Sequence, residues 1–427
     1  MSLIWDKGGS SVDARVQAFC AAEDAILDRQ LLPHDILASR AHVHGLGRIG
    51  VLDAAEVEAL VVELDRLSEA FESGAFLLDE RFEDGHSAIE AWLTERLGDV
   101  GKKVHTGRSR NDQVQVALRL YMRAACAEMA VLTEASAAAL LERAQRDADT
   151  PMPGYTHLQR AMPSSIGHWL GGHAEAFLDD RDLARLTAQW IDSCPLGSAA
   201  GYGVNLPLDR DGVADELGFS RVQLNPQAVQ NSRGKYELQV LMALSQALLD
   251  VRRLAWDLSL YTTAEFGFVS LPARYTTGSS IMPNKRNPDV VELLRAAYAV
   301  VQGATSELQA TLGLPSAYHR DLQNTKPPLL RALGHGLSAL ALIPDLTMSL
   351  EFNRAAMRAA ISPDMFATDR AVELTAAGMP FRDAYVQVAA ELGTLGDRTA
   401  EASNAARVSL GAPGNLALER LRERLDG

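Results

Sequence analysis

Thr277-Gly278-Ser279-Ser280-Ile281-Met282-Pro283-Asn284-Lys285-Arg286-Asn287-Pro288-Asp289 is the stretch from which the rest of the chain is read. A glycine followed by two serines gives a flexible, hydroxyl-bearing turn, and Lys285 follows Ser279 by six residues. Asn287, Pro288 and Asp289 read as the cap, first position and first-turn acid of a helix. The N–H groups and dipole at such a helix start favour an anion. Spacing alone therefore makes this an anion-binding cap, with a candidate proton-transfer group on the loop before it.

The flanking sequence predicts long helices. One runs from Ala228 to about Phe266, weakened only by Gly234; one runs from Pro288 to about Thr311; another follows Pro327-Pro328 to about Leu350. Upstream, the run from Ser109 to about Asp149 lacks glycine and proline and would make a helix of roughly 55 Å. A lone helix of that length is rare, so it belongs in a bundle. Pro151 to Gln159 breaks the run, and a further helix is expected from Ser164 or Ser165 to Ile191. The N-terminal part predicts an extended arm from Leu3 to Asp13 and helices over Val12–Arg29, Asp35–Leu46, Asp53–Ser73 and Ala88–Leu97, with Asp53 and Glu56 in capping-box register. Strand signals are nearly absent, except for a short pair around Leu196 to Leu206. The expected fold is all-α: a helical domain over 1–107, a central long-helix bundle over 108–355, and a smaller helical lobe over 356–427.

Composition narrows the function. Of 427 residues, 47% are hydrophobic and 22% charged, which suits a sizeable core and not bulk disorder. A net charge of −14 argues against a nucleic-acid or anionic-membrane surface, while a local basic pocket remains compatible with an anionic small molecule. Cys20, Cys126 and Cys194 form no CxxC pair and fit a reducing cytoplasm. Neither a signal peptide nor an apolar stretch long enough for a bilayer is read. Without HExxH, a Cys/His cluster, GxGxxG or a P-loop, no metal or nucleotide cofactor is expected.

Three polar loops at helix ends carry the chemistry: 105–113, 153–159 and 277–289. Any one alone reads most simply as a helix cap. Together they bring Arg108, Arg110, His157, Ser279 and Lys285 into consideration. His157 is the natural proton shuttle, with an ordinary pKa near ~6.5. Ser279 acts as a base only where cations or N–H groups favour its alkoxide. No GxSxG elbow surrounds it, so acyl transfer is not indicated. In the loop before Pro327, Tyr318, Gln323 and Lys326 stand at spacings that suit either a polar ligand or a solvated turn.

Gly278 to Pro288 resembles the signature loop of the fumarase/aspartase superfamily. His105-Thr106-Gly107-Arg108-Ser109-Arg110-Asn111-Asp112-Gln113, Pro153 to Pro163, Pro195 to Ser198 and Tyr318 to Lys326 closely resemble the argininosuccinate lyase family. The likeness runs in order from about Trp5 to Lys326, roughly three quarters of the chain. It implies a homotetramer on a central helix bundle, with active sites built from loops of three subunits. It also implies cofactor-free cleavage of argininosuccinate to arginine and fumarate. Ser279 and His157 become the acid–base pair; in one assignment Ser279 removes the carbon-bound proton and His157 protonates the leaving nitrogen, and the reverse stays open. Lys285 and Asn287 would stabilise the doubly negative aci-carboxylate. Ser109, Arg110, Asn111 and Thr156 would bind substrate, Tyr318, Gln323 and Lys326 its arginine-like end, and Glu292 would orient His157.

This chain departs from the family in four places. Asn284-Lys285-Arg286 replaces Gln-Lys-Lys, and Gln230-Asn231-Ser232-Arg233-Gly234 lacks the usual acids. His319 and Asn324-Thr325 differ, and Ala22 or a neighbour stands for a substrate-contacting serine. A sister lyase releasing fumarate from another N-substituted aspartate is the alternative enzyme. A crystallin-like structural relative would have lost Ser279 or His157, and both are present.

Overall fold

A computed structural model of the chain describes residues 15–16, 19, 23–79, 81–395 and 398–427. The expected arm, the first part of the helix expected from Val12, and Ala22 lie outside them. Residues 15, 16 and 19 are helical; the α-helices with defined bounds are, in chain order, α1 (Asp24–Leu27), α2 (Leu32–Arg48), α3 (Ala54–Glu72), α4 (Gly85–Leu97), α5 (Asp99–Lys102) and α6 (Arg110–Arg146). Then come α7 (Ile166–Ile191), α8 (Arg210–Glu216), α9 (Pro226–Asn231), α10 (Lys235–Tyr261), α11 (Asp289–Thr311), α12 (Lys326–Ala341) and α13 (Ile343–Ser349). Shorter helices α14 (Arg354–Ala359), α15 (Ala367–Ala376), α16 (Phe381–Glu391), α17 (Ala400–Ala406) and α18 (Leu418–Asp426) complete an all-α fold.

The chain forms two compact units. The first comprises Met1–Ala127, Arg185–Met242 and Gly303–Gly334, the second Glu128–Ala184, Ala243–Gln302 and His335–Gly427. In the first unit, the α3 start follows its sequence: Glu56 N donates to Asp53 Oδ1 at 2.9 Å and Asp53 N to Glu56 Oε2 at 3.2 Å. Leu60, Leu64 and Leu67 of α3 lie on one face and are buried against Leu32, Ile36 and Leu46 of α2 and Ile89 and Leu93 of α4. Each such side chain contributes about 2 kcal/mol of burial. A second cluster joins Val116 and Leu120 of α6 to Cys194, Val213, Leu217 and Phe219. Arg119 Nη1 donates to Ile191 O at 3.0 Å, a carbonyl that α7 leaves open at its end, and to Ser193 O just beyond it at 2.9 Å.

In the second unit, Arg143 Nη1 donates to Met348 O and Leu350 O, both at 2.9 Å. Trp169 Nε1 donates to Asp257 Oδ2 at 2.8 Å, and the Trp169 ring meets Tyr261 edge-on at 5.3 Å. Strands β1 (Pro151–Thr156) and β2 (Gln159–Ser165) form an antiparallel hairpin here. Two-residue pairs follow: β3 (Val269–Ser270) with β6 (Glu351–Phe352), and β4 (Thr277–Gly278) with β5 (Arg286–Asn287).

Four expectations are corrected. The segment 153–159 is not an irregular loop but the end of the β1–β2 hairpin; three prolines in its strands and His-Leu at its turn hid it. The strand pair expected around Leu196 to Leu206 is absent among the described residues, where the only bridge is between Cys194 and Val222. The helix expected from Ala228 is two helices, because Gly234 takes φ +83° and Gly234 N is bonded to Glu237 Oε2 at 2.8 Å at the start of α10. The helix after the two prolines breaks between Ala341 and Ile343, where Pro344 removes a donor. In addition, α6 and the stretch Arg320–Ser349 are long and apolar enough to cross a membrane by length and composition; 56% of the most apolar window of each is buried, as in core helices.

Candidate active site

In the first unit, the residues at the start of α6 and before α12 line one open polar basin. Arg110, Asn111, Tyr318, Gln323 and Lys326 all line it, together with Asp24, Glu83, Asp84, His86, Arg233 and Arg320. The α6 turn is held from behind. Asp112 Oδ1 accepts from Ser109 N at 2.9 Å, and its Oδ2 accepts from Gly197 N at 3.0 Å and Ala199 N at 2.7 Å. Burial still pushes this carboxyl up to about 6. Ser109 Oγ accepts from Asn111 N at 3.3 Å, so Ser109 caps the helix.

The basin pairs most of its charges. Arg110 Nη1 lies 3.0 Å from Glu83 Oε2 and 3.1 Å from Asp84 Oδ2. Burial works against its charge, but Asp84 and Glu83 outweigh it and hold its pKa above the ordinary value. Lys326 Nζ, 3% exposed, donates to Asp24 Oδ1 at 2.9 Å and Asp28 Oδ1 at 2.6 Å. Its pKa is raised likewise, burial being overcome by Asp28 and Asp24. His86 Nδ1 lies 2.5 Å from Asp35 Oδ2; burial is again overcome, here by Asp35, Asp84 and Asp28, and the imidazolium is favoured.

The second unit carries Thr156, His157, Ser279, Lys285, Asn287 and Glu292. The β1–β2 turn is a two-residue turn in which His157 takes φ +54° and Leu158 φ +57°. Left-handed backbone costs about 1–2 kcal/mol at each non-glycine residue, and such strain gathers at functional positions. Thr156 to Arg160 are all exposed. In the other loop, Ser279 Oγ accepts from Met282 N at 3.1 Å and Ile281 N at 3.4 Å. Lys285 is exposed, and Asn287 pairs with Thr277 across β4–β5. Thr277 Oγ1 donates to the Asp289 carboxylate at the start of α11. Glu292 lies 3.5 Å from Arg295. Among the described residues, no hydrogen bond or ion pair joins His157 to Ser279 or Glu292 within this one chain.

Sequence reasoning passed over several residues. Asp24 and Asp28, four apart, share a helix face, a spacing that is legible once Lys326 is known to lie against it. In the altered 230–234 segment it weighed the missing acids and not Arg233. It also missed a clasp behind the hairpin. Arg407 Nη1 donates to Pro163 O, and its Nη2 donates to Asp369 Oδ1 at 3.0 Å and Ser403 Oγ at 3.0 Å. Asn404 Nδ2 donates to Ser164 O at 2.7 Å. The C-terminal lobe thus fastens the strand that leads back from His157.

The Lyase family model matches residues 10–303. A protein of Sorangium cellulosum (strain So ce56) named argininosuccinate lyase is 58% identical over 423 residues, spanning 99% of this chain and 98% of its own. One of Stenotrophomonas maltophilia (strain R551-3) with the same name is 55% identical over 423 residues, with the same two coverages. Among solved structures, EDDS lyase in complex with formate superposes with a TM-score of 0.80 at 24% identity, covering 98% of this chain and 90% of that one. The class II fumarase of Schistosoma mansoni gives 0.70 at 17%, covering 88% and 91%. These two likenesses establish the fold. With relatives of that name matching it from end to end, the chain belongs to the argininosuccinate lyase family of the fumarase/aspartase superfamily.

Proposed function

We propose that the chain is an argininosuccinate lyase, eliminating L-arginine from argininosuccinate to leave fumarate, in arginine biosynthesis. The observation that carries this is the near-full-length match to relatives of that name, and the loops that bear the motif residues support it. A charged basin in one unit holds Arg110, Asn111, Tyr318, Gln323 and Lys326, while two exposed turns of the other present His157 and Ser279. Ser279 acts as the base: the two N–H groups directed at its Oγ favour an alkoxide. His157 then protonates the leaving guanidino nitrogen. Removing a proton beside a carboxylate builds an aci-carboxylate dianion, which Lys285 and the start of α11 would stabilise. Thr156 and Asn287 bind beside them, Ser109 shapes the turn that presents Arg110 and Asn111, and Glu292 steadies the imidazolium of His157.

The site is composite. The exposed, strained turn at His157, with no hydrogen bond or ion pair to Ser279 or Glu292 among the described residues, supports insertion into another copy of the chain, in a cytoplasmic homotetramer whose long helices lie in 108–355. No cofactor takes part. Fumarate release, followed by ultraviolet absorbance with argininosuccinate and with adenylosuccinate, tests the proposal. Absence of turnover of argininosuccinate by the folded assembly would sink it, and turnover of adenylosuccinate alone would point to a sister lyase.

A further inference from the structure

Gly167, the second residue of α7, follows closely on the end of β2, the strand that leads back from His157. Helix and strand are coupled there. Ile166 N donates to Thr150 O at 3.0 Å, His168 N donates to Ser165 Oγ at 3.1 Å, and Ser164 Oγ lies 3.0 Å from His168 Nδ1. A shift of the first turn of α7 would therefore pass directly to the base of the hairpin. That turn is gripped on two sides. A Cβ added to Gly167 would lie 2.9 Å from Ala144 O and 2.7 Å from Ala148 Cα, at and just beyond the end of α6. On the other side it would lie 2.8 Å from Leu416 Cδ1. Only glycine lets the leucine and the end of α6 close on the helix together. One turn on, a Cβ added to Gly171 would lie 3.1 Å from Leu418 Cδ2.

Residues 416–427 then run alongside α7. In α18, Leu418, Leu421 and Leu425 are half-buried on one face, while Glu419, Arg420, Arg422 and Glu423 are exposed. Arg424 Nη2 donates to Asp179 Oδ1 at 2.6 Å and to Asp182 Oδ2 at 2.7 Å. Arg181 answers from α7, its Nη1 donating to Leu425 O at 3.0 Å and its Nη2 to Arg424 O at 2.9 Å, carbonyls that α18 leaves open at its end. Partly exposed ion pairs stabilise weakly, so these set register more than energy. No residue of α18 is buried, so the helix adds little to the core. Ala417, between the two leucines that meet α7, takes φ +51°, a backbone that is costly for a residue with a side chain. We propose that 416–427 is a positioning strap, in which Leu416 wedges the first turn of α7 against the end of α6 and so holds the aim of the hairpin that carries His157. The strap meets no reacting group and acts through α7. Its consequence for catalysis rests on the lyase reading above; its hold on the hairpin does not.

The test compares the full-length enzyme with a chain stopped after Asn415, with Leu416→Ala and with Leu416→Met. Arg422→Gln, on the exposed face of α18, is the control. Fumarate release from argininosuccinate, chemical unfolding and hydrogen exchange over 151–165 are measured on each. The stopped chain should lose about 10–100-fold in kcat with KM within about twofold, as for a displaced catalytic group. Leu416→Ala should lose about 3–10-fold, and Leu416→Met, which keeps the volume, should stay near wild type. Exchange in the hairpin should quicken in step with the loss of kcat, and a peptide of residues 415–427 added to the stopped chain should restore both. If the stopped chain fails to fold, the alanine and methionine variants decide. Unchanged kcat and hairpin exchange in Leu416→Ala, an equal loss in Leu416→Met, or a rise in KM at constant kcat would each overturn the assignment. Hydrogen exchange needs no turnover. A wild type that releases no fumarate would sink the reaction, while a hairpin loosened by Leu416→Ala would still support the strap.

Discussion

Replacing Arg407 by methionine separates what holds the second unit together from what aims its hairpin. Asp369 is 6% exposed and Arg407 14%. The pair is bidentate, with Arg407 Nε also donating to Asp369 Oδ1 at 3.1 Å. Removing one partner of such a buried pair costs about 3–5 kcal/mol, much of it from the carboxylate left behind. Ser403 Oγ still donates to Asp369 at 2.5 Å and Arg398 stays 3.6 Å away, so a loss near about 3 kcal/mol is expected. The same change frees Pro163 O, which pairs by register with Pro153, four residues before His157. Misplacing a catalytic group by about 1 Å can cost roughly 10²-fold in rate. The assay is a cycle of Arg407→Met, Asp369→Leu and the double variant. Each is followed by chemical unfolding, fumarate release and hydrogen exchange over 151–165. The double variant should recover most of the stability, because no charge is left unpaired, yet keep the low kcat and fast exchange in the hairpin. Recovery of kcat together with stability would refute a positioning role for the bond to Pro163.

Three further outcomes are expected. Ser279→Ala should lower kcat by about 10²–10⁴-fold, the usual weight of a proton-transfer group, with the assembly state unchanged by light scattering; near-normal turnover would remove the serine from the mechanism. Burial and Arg108 depress His42 to about 3, so the unfolded chain takes up that proton near 6.5 and the folded chain does not. Stability present above pH 6.5 should fall at about 1.4 kcal/mol per pH unit on acidification. His105, depressed to about 4, adds in the same direction, whereas raised His86 loses its contribution only above 6.5. Denaturant titrations at pH 7, 6 and 5 (roughly the window of the histidine steps) should show the slope, flatter in His42→Gln. Gly234→Ala should cost about 2–4 kcal/mol, since φ is +83° and the added Cβ would lie 2.1 Å from Leu312 Cδ2; a thermal midpoint equal to wild type would contradict it.

The helices were legible because each carries its own boundary chemistry. Asp53 and Glu56 form the box that their spacing announced, and the long runs that became α6, α7 and α11 stop where glycine and proline stop them. The hairpin was not legible. Its turn is His157-Leu158, held left-handed at a cost that no local propensity would choose, and its support comes from Arg407 and Asn404, far along the chain. The candidate site residues were visible by type, as Ser279, His157 and Lys326 were, but not by state. Nothing in the sequence says that Lys326 is neutralised twice, because that depends on which acids the fold brings near.

The clasp also sets a timetable for synthesis. His157 leaves the ribosome 250 residues (407 minus 157) before the arginine that fastens its hairpin. At about 5–20 residues per second, that is a delay of roughly 10–50 s. Throughout it the strained turn exists without Arg407 at its base. A chain that stops short of residue 407 would carry Ser279, His157 and their loops, yet leave the histidine on an unsecured ribbon.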